Sequence, residues 1–290
     1  MEETRKKIKG LLLGAIMFTI VAMTLYPFMY VFSVSISSAN AVLMQKVWLY
    51  PKGFSLASYK YLLHSGSLWT AYGNTIFYTL CGTLISVCLT LLTAYPLSKN
   101  YFMFKKFFTV YMAVTMFFSG GLIPMFILVN NLGIYNTRWA LLLPGAIGAF
   151  NVIIAKTFLL GISPALEESA KIDGANDFRV FISIVLPVSL PVIGVLILFY
   201  SVGYWNMYFN AIIYISSAKL QPLQVFLMRL LIAGNQELSA GTDISGVERT
   251  GIVEQMKYAA VIITTLPIIF AYPYAQKYFV HGLAIGALKE

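Results

Sequence analysis

The sequence of 290 residues is poor in charge, cysteine and histidine, and each shortage removes a class of function. Charged residues make up 11% of the chain, against about a quarter in soluble domains. A deficit of that size cannot be attributed to an oversized core, so lipid must cover much of the surface. Cys81 and Cys88 share one apolar run at a spacing that fits neither a metal site nor a disulfide framework. His64 and His281 are remote from each other and from both cysteines, so no protein-built zinc site is expected. There is no Gly-x-x-x-x-Gly-Lys-Ser/Thr phosphate loop, and the chain does not bind ATP in that manner. The 11 acidic residues all lie outside the long apolar runs, which leaves an intramembrane enzyme without paired carboxylates. The same shortage, and the lack of an obvious inverted repeat, speaks against an ATP-independent carrier or channel.

What is abundant is apolar: 59% hydrophobic and 15% aromatic residues, with a mean hydropathy of +0.78. Six stretches reach the roughly 20 residues needed to cross a hydrocarbon core as helices: Leu11–Val34, Tyr72–Leu97, Phe107–Val129, Trp139–Leu159, Val188–Ile215 and Tyr258–Gln276. The expected fold is therefore an all-α integral membrane protein with six transmembrane helices after a short tail at 1–10. Arg5, Lys6, Lys7 and Lys9 before the first stretch resemble the start of a signal peptide. The apolar run is too long for a signal core and no small-residue cleavage site follows, so it is expected to stay as a span.

The net charge of +9 comes from basic residues scattered between apolar runs, with no stripe or motif that reads nucleic acid. Such residues sort topology and meet anionic head groups. They are densest on the short segments that share the N-terminal side, carrying Arg5, Lys6, Lys7, Lys9, Lys99, Lys105, Lys106, Lys156, Lys171, Arg179, Lys277 and Lys289. Both termini are accordingly expected in the cytoplasm. The longer outside segments, 35–71 and 216–257, can receive a partner or simply tie helices together. In the second, Pro222 with Leu223–Leu231 predicts a short interfacial helix and Gly241–Gly246 a turn.

The loop at 160–187 carries the most information. Ser163 suits an N-cap and Pro164 the first helical position, with Glu167 and Glu168 in the first turns where the helix dipole favours anions. A helix beginning there should close near Asp173-Gly174, because glycine readily takes the left-handed conformation. Asn176 or Asp177 can then cap a second helix through Phe178, Phe181, Ile182 and Val185, ending before Pro187. A helix-turn-helix on the cytoplasmic face results; an isolated loop of this kind can equally lie on the membrane surface.

This segment resembles the signature of the membrane permeases of binding-protein-dependent ATP-binding-cassette importers: Glu-Ala-Ala, three residues, Gly, nine residues, then an aliphatic-Leu-Pro ending. Here it reads Glu168-Ser169-Ala170, Gly174, and Ile184 to Leu186-Pro187, with serine in place of the first alanine. Asp173-Gly174-Ala175 and the tail from Lys277 to Lys289 look most like the carbohydrate, maltose-permease branch. Tyr204–Ile215 and Phe118–Pro124 look closest to the subgroup that handles oligosaccharides from complex polysaccharides. The resemblance implies a type I importer permease in a bacterial cell membrane, with no cofactor of its own. It further implies a second homologous permease, two ATPase subunits that hold ATP and Mg, and an extracytoplasmic solute-binding protein. The loop would be the coupling helix that docks on an ATPase subunit, involving Glu168, Ser169, Ala170, Lys171, Asp173, Gly174, Ala175, Phe178, Arg179, Leu186 and Pro187.

Polar side chains in spans are costly and normally face protein or a wet path. Asn74, Asn130, Asn131, Asn151 and the cluster Tyr204, Trp205, Asn206, Tyr208 and Asn210 are candidates for a substrate path. On a continuous helix Asn206 and Asn210 would face one cavity. Rings beside amides suit sugars; the alternative is an interfacial aromatic belt with asparagines joining helices.

Overall fold

The structure, a computed structural model, describes the backbone over residues 2–233 and 246–287 and the side chains over 6–232 and 250–270. The turn expected at Gly241–Gly246 and the side chains of the Lys277–Lys289 tail lie outside the described residues. The regular elements of the described residues are all helices, with no strand among them. In lipid this is required, because a helix satisfies its backbone polar groups within one segment. In chain order the helices are α1 (Glu2–Ser35), α2 (Ala39–Leu43), α3 (Ala57–His64), α4 (Gly66–Ser98), α5 (Lys105–Phe117), α6 (Leu122–Asn131), α7 (Trp139–Leu142), α8 (Ala149–Leu160), α9 (Pro164–Ile172) and α10 (Asp177–Val180). A π turn at Phe181–Val185 leads into α11 (Leu186–Val188) and α12 (Leu190–Trp205). Then follow α13 (Phe209–Tyr214), a 3-10 turn, α14 (Leu223–Ala233) and α15 (Gly246–Ala287).

Among the described residues, three helical segments are long and apolar enough to cross a membrane: Lys6–Ser35, Gly66–Ser98 and Thr250–Phe270, with up to six if each bent helix pair is one span. The other expected stretches are interrupted. Phe107–Val129 divides into α5 and α6, with a bend of 114° between them. The cause is Ser119-Gly120-Gly121: Gly121 has φ +88, a value costly for residues with a Cβ, and Pro124 fits in the first turn of α6. Trp139–Leu159 is broken between α7 and α8, where Pro144, Gly145 and Gly148 fall. Val188–Ile215 is broken at Asn206–Tyr208. A short helix follows Pro222, as expected, in α14.

The chain forms two compact units, Met1–Trp69 with Phe226–Pro267, and Thr70–Val225 with Ile268–Glu290. In the first unit, α1 exposes apolar side chains all round, from Leu11 and Phe18 to Met23 and Phe28, as a lipid- or partner-covered helix does. Its hydroxyls turn back on their own helix: Thr19 Oγ1 donates to the Ala15 carbonyl (2.8 Å) and Thr24 Oγ1 to that of Ile20 (3.0 Å). Where α1 ends, a small apolar cluster of Val34, Val42 and Val47 is joined by polar fastenings. Gln255, fully buried on α15, donates through Nε2 to the carbonyls of Ser35 (2.9 Å), Ser37 (2.7 Å) and Ser55 (3.2 Å), fastening the irregular segment after α1.

The second unit holds the main core, where Tyr78, Leu142, Val180, Val185 and Leu196 are inaccessible or nearly so. Two of its tyrosines, Tyr200 and Tyr204, reach polar partners, as most buried hydroxyls do. Tyr200 Oη shares a 2.6 Å hydrogen bond with Thr90 Oγ1 and accepts from the Gly148 amide at 3.1 Å. Tyr204 Oη lies 3.1 Å from Ser86 Oγ and donates to the Leu142 carbonyl at 3.3 Å. The Tyr204 ring rests on Gly82: a Cβ there would stand 2.5 Å from the ring carbon Cζ.

Candidate functional site

The 160–187 loop folds as the spacing predicts, with two refinements. Ser163 occupies the N-cap of α9 in extended conformation but makes no side-chain capping bond. Pro164 and Glu167 hold the first turn. Gly174 closes the helix at φ +82, and the Ala175 amide reaches back to the Ala170 carbonyl at 2.9 Å. Of the two possible second caps, Asn176 serves: its Oδ1 accepts from the Arg179 amide at 2.9 Å. The second helix does not stop before Pro187. It widens into the π turn, passes Pro187 in α11 and bends by 80° between Asp177–Val188 and Leu190–Trp205. The π turn buries Phe181 and Val185 against the core while Phe178 stays outside.

The loop presents a mixed face. Glu168, Ser169, Lys171, Asp173, Arg179 and Pro187 are exposed, while Ala170, Ala175 and Leu186 pack against the core. Ile172 is 87% exposed and Phe178 65%. Ile172 was not singled out by sequence reasoning; it precedes Asp173-Gly174 and extends the apolar face of the turn.

Two charge clusters brace the loop. Lys99, just beyond α4, forms an ion pair with Glu167 of α9, with side chains only 12% and 11% exposed. The Lys99 ammonium also lies over the Tyr95 ring (4.5 Å), which packs against Phe181 of the π turn at 4.9 Å between centroids. Outside this, Lys171 Nζ meets Asp177 Oδ1 at 2.8 Å, and Tyr101 Oη donates to the same carboxylate at 3.1 Å. The hydrogen bond from Lys171 holds the Asp177 carboxyl below its ordinary range, and the Lys171 ammonium is held above its own by the same bond. Burial, then the contact with Asp177, pushes the Tyr101 phenol up. Neither Glu167 nor Lys99 was marked as a site residue from sequence. Their separation along the chain hides the pairing.

The polar candidates of the spans separate. Tyr204, Asn206, Tyr208 and Asn210 line one cavity of about 360 Å³ together with Leu141, Gly145 and Tyr200, within the size range of small-molecule sites. They do so by a different route from the one expected. The helix ends at Trp205, so Asn206 caps α12 and Asn210 belongs to α13; the turn between them, not an i, i+4 relation, brings both to the cavity. Trp205 packs edge-on to Tyr72, 6.2 Å between centroids. Asn74 is buried away from the cavity, and its Nδ2 donates to the carbonyls of Lys219 (2.8 Å) and Gln221 (3.1 Å). Asn130 and Asn131 are exposed at the end of α6, and Asn151 is half-buried near Gly148.

Among the described residues no group of His, Cys, Asp and Glu is arranged to hold a metal ion. Apolar helices, a braced helix-turn-helix between two of them and a cavity bordered by tyrosine and asparagine side chains define a polytopic membrane transport protein of the permease type. Residues 86–285 match the family described as binding-protein-dependent transport system inner membrane component, and the chain belongs to it. It is 38% identical over 263 residues to the polygalacturonan/rhamnogalacturonan transport system permease protein YtcP of Bacillus subtilis, covering 91% of this chain and 92% of that protein. It is 37% identical over 268 residues to the protein LplC of the same organism, covering 92% and 90%. A chain from the crystal structure of a bacterial ABC transporter involved in import of the acidic polysaccharide alginate superposes with a TM-score of 0.88 at 33% identity, covering 95% of this chain and 98% of that one. The family expected from the Glu168–Pro187 signature is thus the family found, and the fold is the type I permease fold.

Proposed function

We propose that this chain is a permease subunit of an ATP-driven importer and forms, with a second homologous permease, the path of an oligosaccharide released from a complex polysaccharide. A solute-binding protein delivers the sugar from outside; two ATPase subunits hold ATP and Mg. The chain itself performs no catalysis. Both termini face the cytoplasm of a bacterium, in keeping with the density of Lys and Arg on the short segments of that side.

The observation that carries the reading is the α9 turn, where Ile172 and Phe178 stand out beside Glu168 on a scaffold braced from behind. A rigid, partly apolar projection is what an ATPase subunit needs in order to move membrane helices, because closure is transmitted only through an element that does not yield. Glu168 supplies a polar contact, and Ser169 and Ala170 are small enough for close approach. Within the membrane, Tyr204, Asn206, Tyr208 and Asn210 border the path, their rings suited to sugar C–H faces and their amides to hydroxyls. The names of YtcP and of the alginate transporter support a polysaccharide-derived substrate.

Purification of the intact complex from its native membrane tests the assembly: an ATPase and a second permease should accompany the chain, and their absence overturns the reading. In reconstituted complexes, Gly174→Pro or Glu168→Lys should uncouple ATP hydrolysis from uptake while the chain still inserts. Unchanged uptake in both variants removes the docking role.

A further inference from the structure

We propose that the Lys99–Glu167 ion pair is the latch through which α9 drives α4, so that these two side chains are positioning residues for energy coupling. The proposal rests on the docking reading of α9 and adds the point at which its motion enters the membrane helices.

Between α8 and α9, the chain runs through Gly161-Ile162-Ser163, and the two helices are bent by 73°. On the other side, the chain turns at Gly174, with φ +82, before α10. Both backbone connections are short turns with glycine at a critical position. A push on α9 delivered through them alone can be taken up by rotation about the turns. The Lys99–Glu167 contact bypasses both. It joins α9 directly to the residue following α4, a helix of 33 residues.

The surroundings favour a fixed geometry for this pair. Both side chains are nearly nine-tenths covered, which reduces solvent screening. Lys99 is further held over Tyr95, and Tyr95 against Phe181, so the same ammonium touches α4, α9 and, through one ring, the π turn. The second cluster, Lys171 with Asp177 and Tyr101, is more exposed and closes the α9–α10 turn on itself and on the residues after α4. A buried ion pair is weak evidence for stability, since apolar pairs of similar volume often replace one without loss. Its attested use is to fix one register among several, which is what a force-bearing joint needs.

The test follows motion rather than uptake. The complex with its ATPase subunits, reconstituted in nanodiscs, is trapped with ATP and vanadate, and hydrogen exchange is compared with the nucleotide-free state over residues 164–172 and 86–99. Wild type should respond in both segments. Lys99→Met and Lys99→Met/Glu167→Met should keep the response of 164–172 and lose at least three-quarters of that of 86–99. The exchanged pair Lys99→Glu/Glu167→Lys should recover at least half of it, which general loss of packing would not allow. A full response of 86–99 in the double Met variant overturns the latch. Response in neither segment of wild type overturns the docking reading itself. Should the Met variants fail to assemble, Glu167→Gln, which keeps size and shape, is read in the same way.

Discussion

Gly82→Ala should injure both the stability of the second unit and its cavity. An alanine Cβ would lie 2.5 Å from Tyr204 Cζ and 2.6 Å from Cε1 and Cε2, far inside van der Waals contact. The ring cannot swing away freely, because Tyr204 is buried and its hydroxyl is tied to Ser86 and the Leu142 carbonyl. Overpacking of this kind costs about 1–3 kcal/mol, and loss of one hydroxyl bond adds about 1 kcal/mol. For a chain of this size that corresponds to a fall in Tm of roughly 3–7 °C, measured by thermal unfolding of the detergent-solubilised complex. The displaced ring also borders the cavity with Asn206 and Asn210, so KM for uptake should rise. Gly82→Ala/Tyr204→Leu removes the end of the ring and should recover part of the stability, a non-additivity expected of residues in contact. A Tm within about 1 °C of wild type and an unchanged KM for Gly82→Ala would refute the reasoning.

Asn136→Ala should destabilise by about 1–3 kcal/mol, because its Oδ1 accepts from the amides of Ser216 (3.1 Å) and Ser217 (2.9 Å). Asn136→Gly should recover about 1 kcal/mol of this, since residue 136 has φ +55; chemical unfolding checks both. Asn74→Ala should lower stability by a similar amount, about 1–3 kcal/mol, and leave KM unchanged, because its amide is spent on two backbone carbonyls. A changed KM at wild-type stability would return Asn74 to the substrate path. Asp177 has a carboxyl held low by Lys171, so its contribution is complete above the ordinary carboxylate range and disappears as pH falls through the lower, folded value. Exchange protection of the α9–α10 turn, corrected for intrinsic rate, should fall only in that acid window, and Asp177→Asn should make it low and flat.

Membrane residence, the first and second long helices and the α9 turn were legible in the sequence. Each depends on local chemistry: apolar length, a proline at a helix start, a glycine at φ +82. The interruptions were not. Averaged hydropathy passes over Ser119-Gly120-Gly121 and Asn206–Tyr208, because a few residues barely change the mean of an apolar window, whereas they suffice to turn the backbone. That is why Asn206 and Asn210 reach one cavity from two helices. The Lys99–Glu167 pair was illegible for another reason: nothing near either residue specifies a partner, and only the packing of α9 brings them together. Asn74 shows the converse. A polar residue in a span implies some partner, but the rule does not distinguish a substrate from the carbonyls of Lys219 and Gln221.

The π turn at Phe181–Val185 takes up one residue of chain length without turning the helix. A π turn holds one residue more than an α-helical path over the same rise. Removing one residue there would restore the α-helix and leave Leu186 and the bend into α12 close to their present register. The same deletion in the regular helix α12 would turn everything beyond it by about 100°. This stretch should therefore lose a residue at lower cost than the helix that follows it.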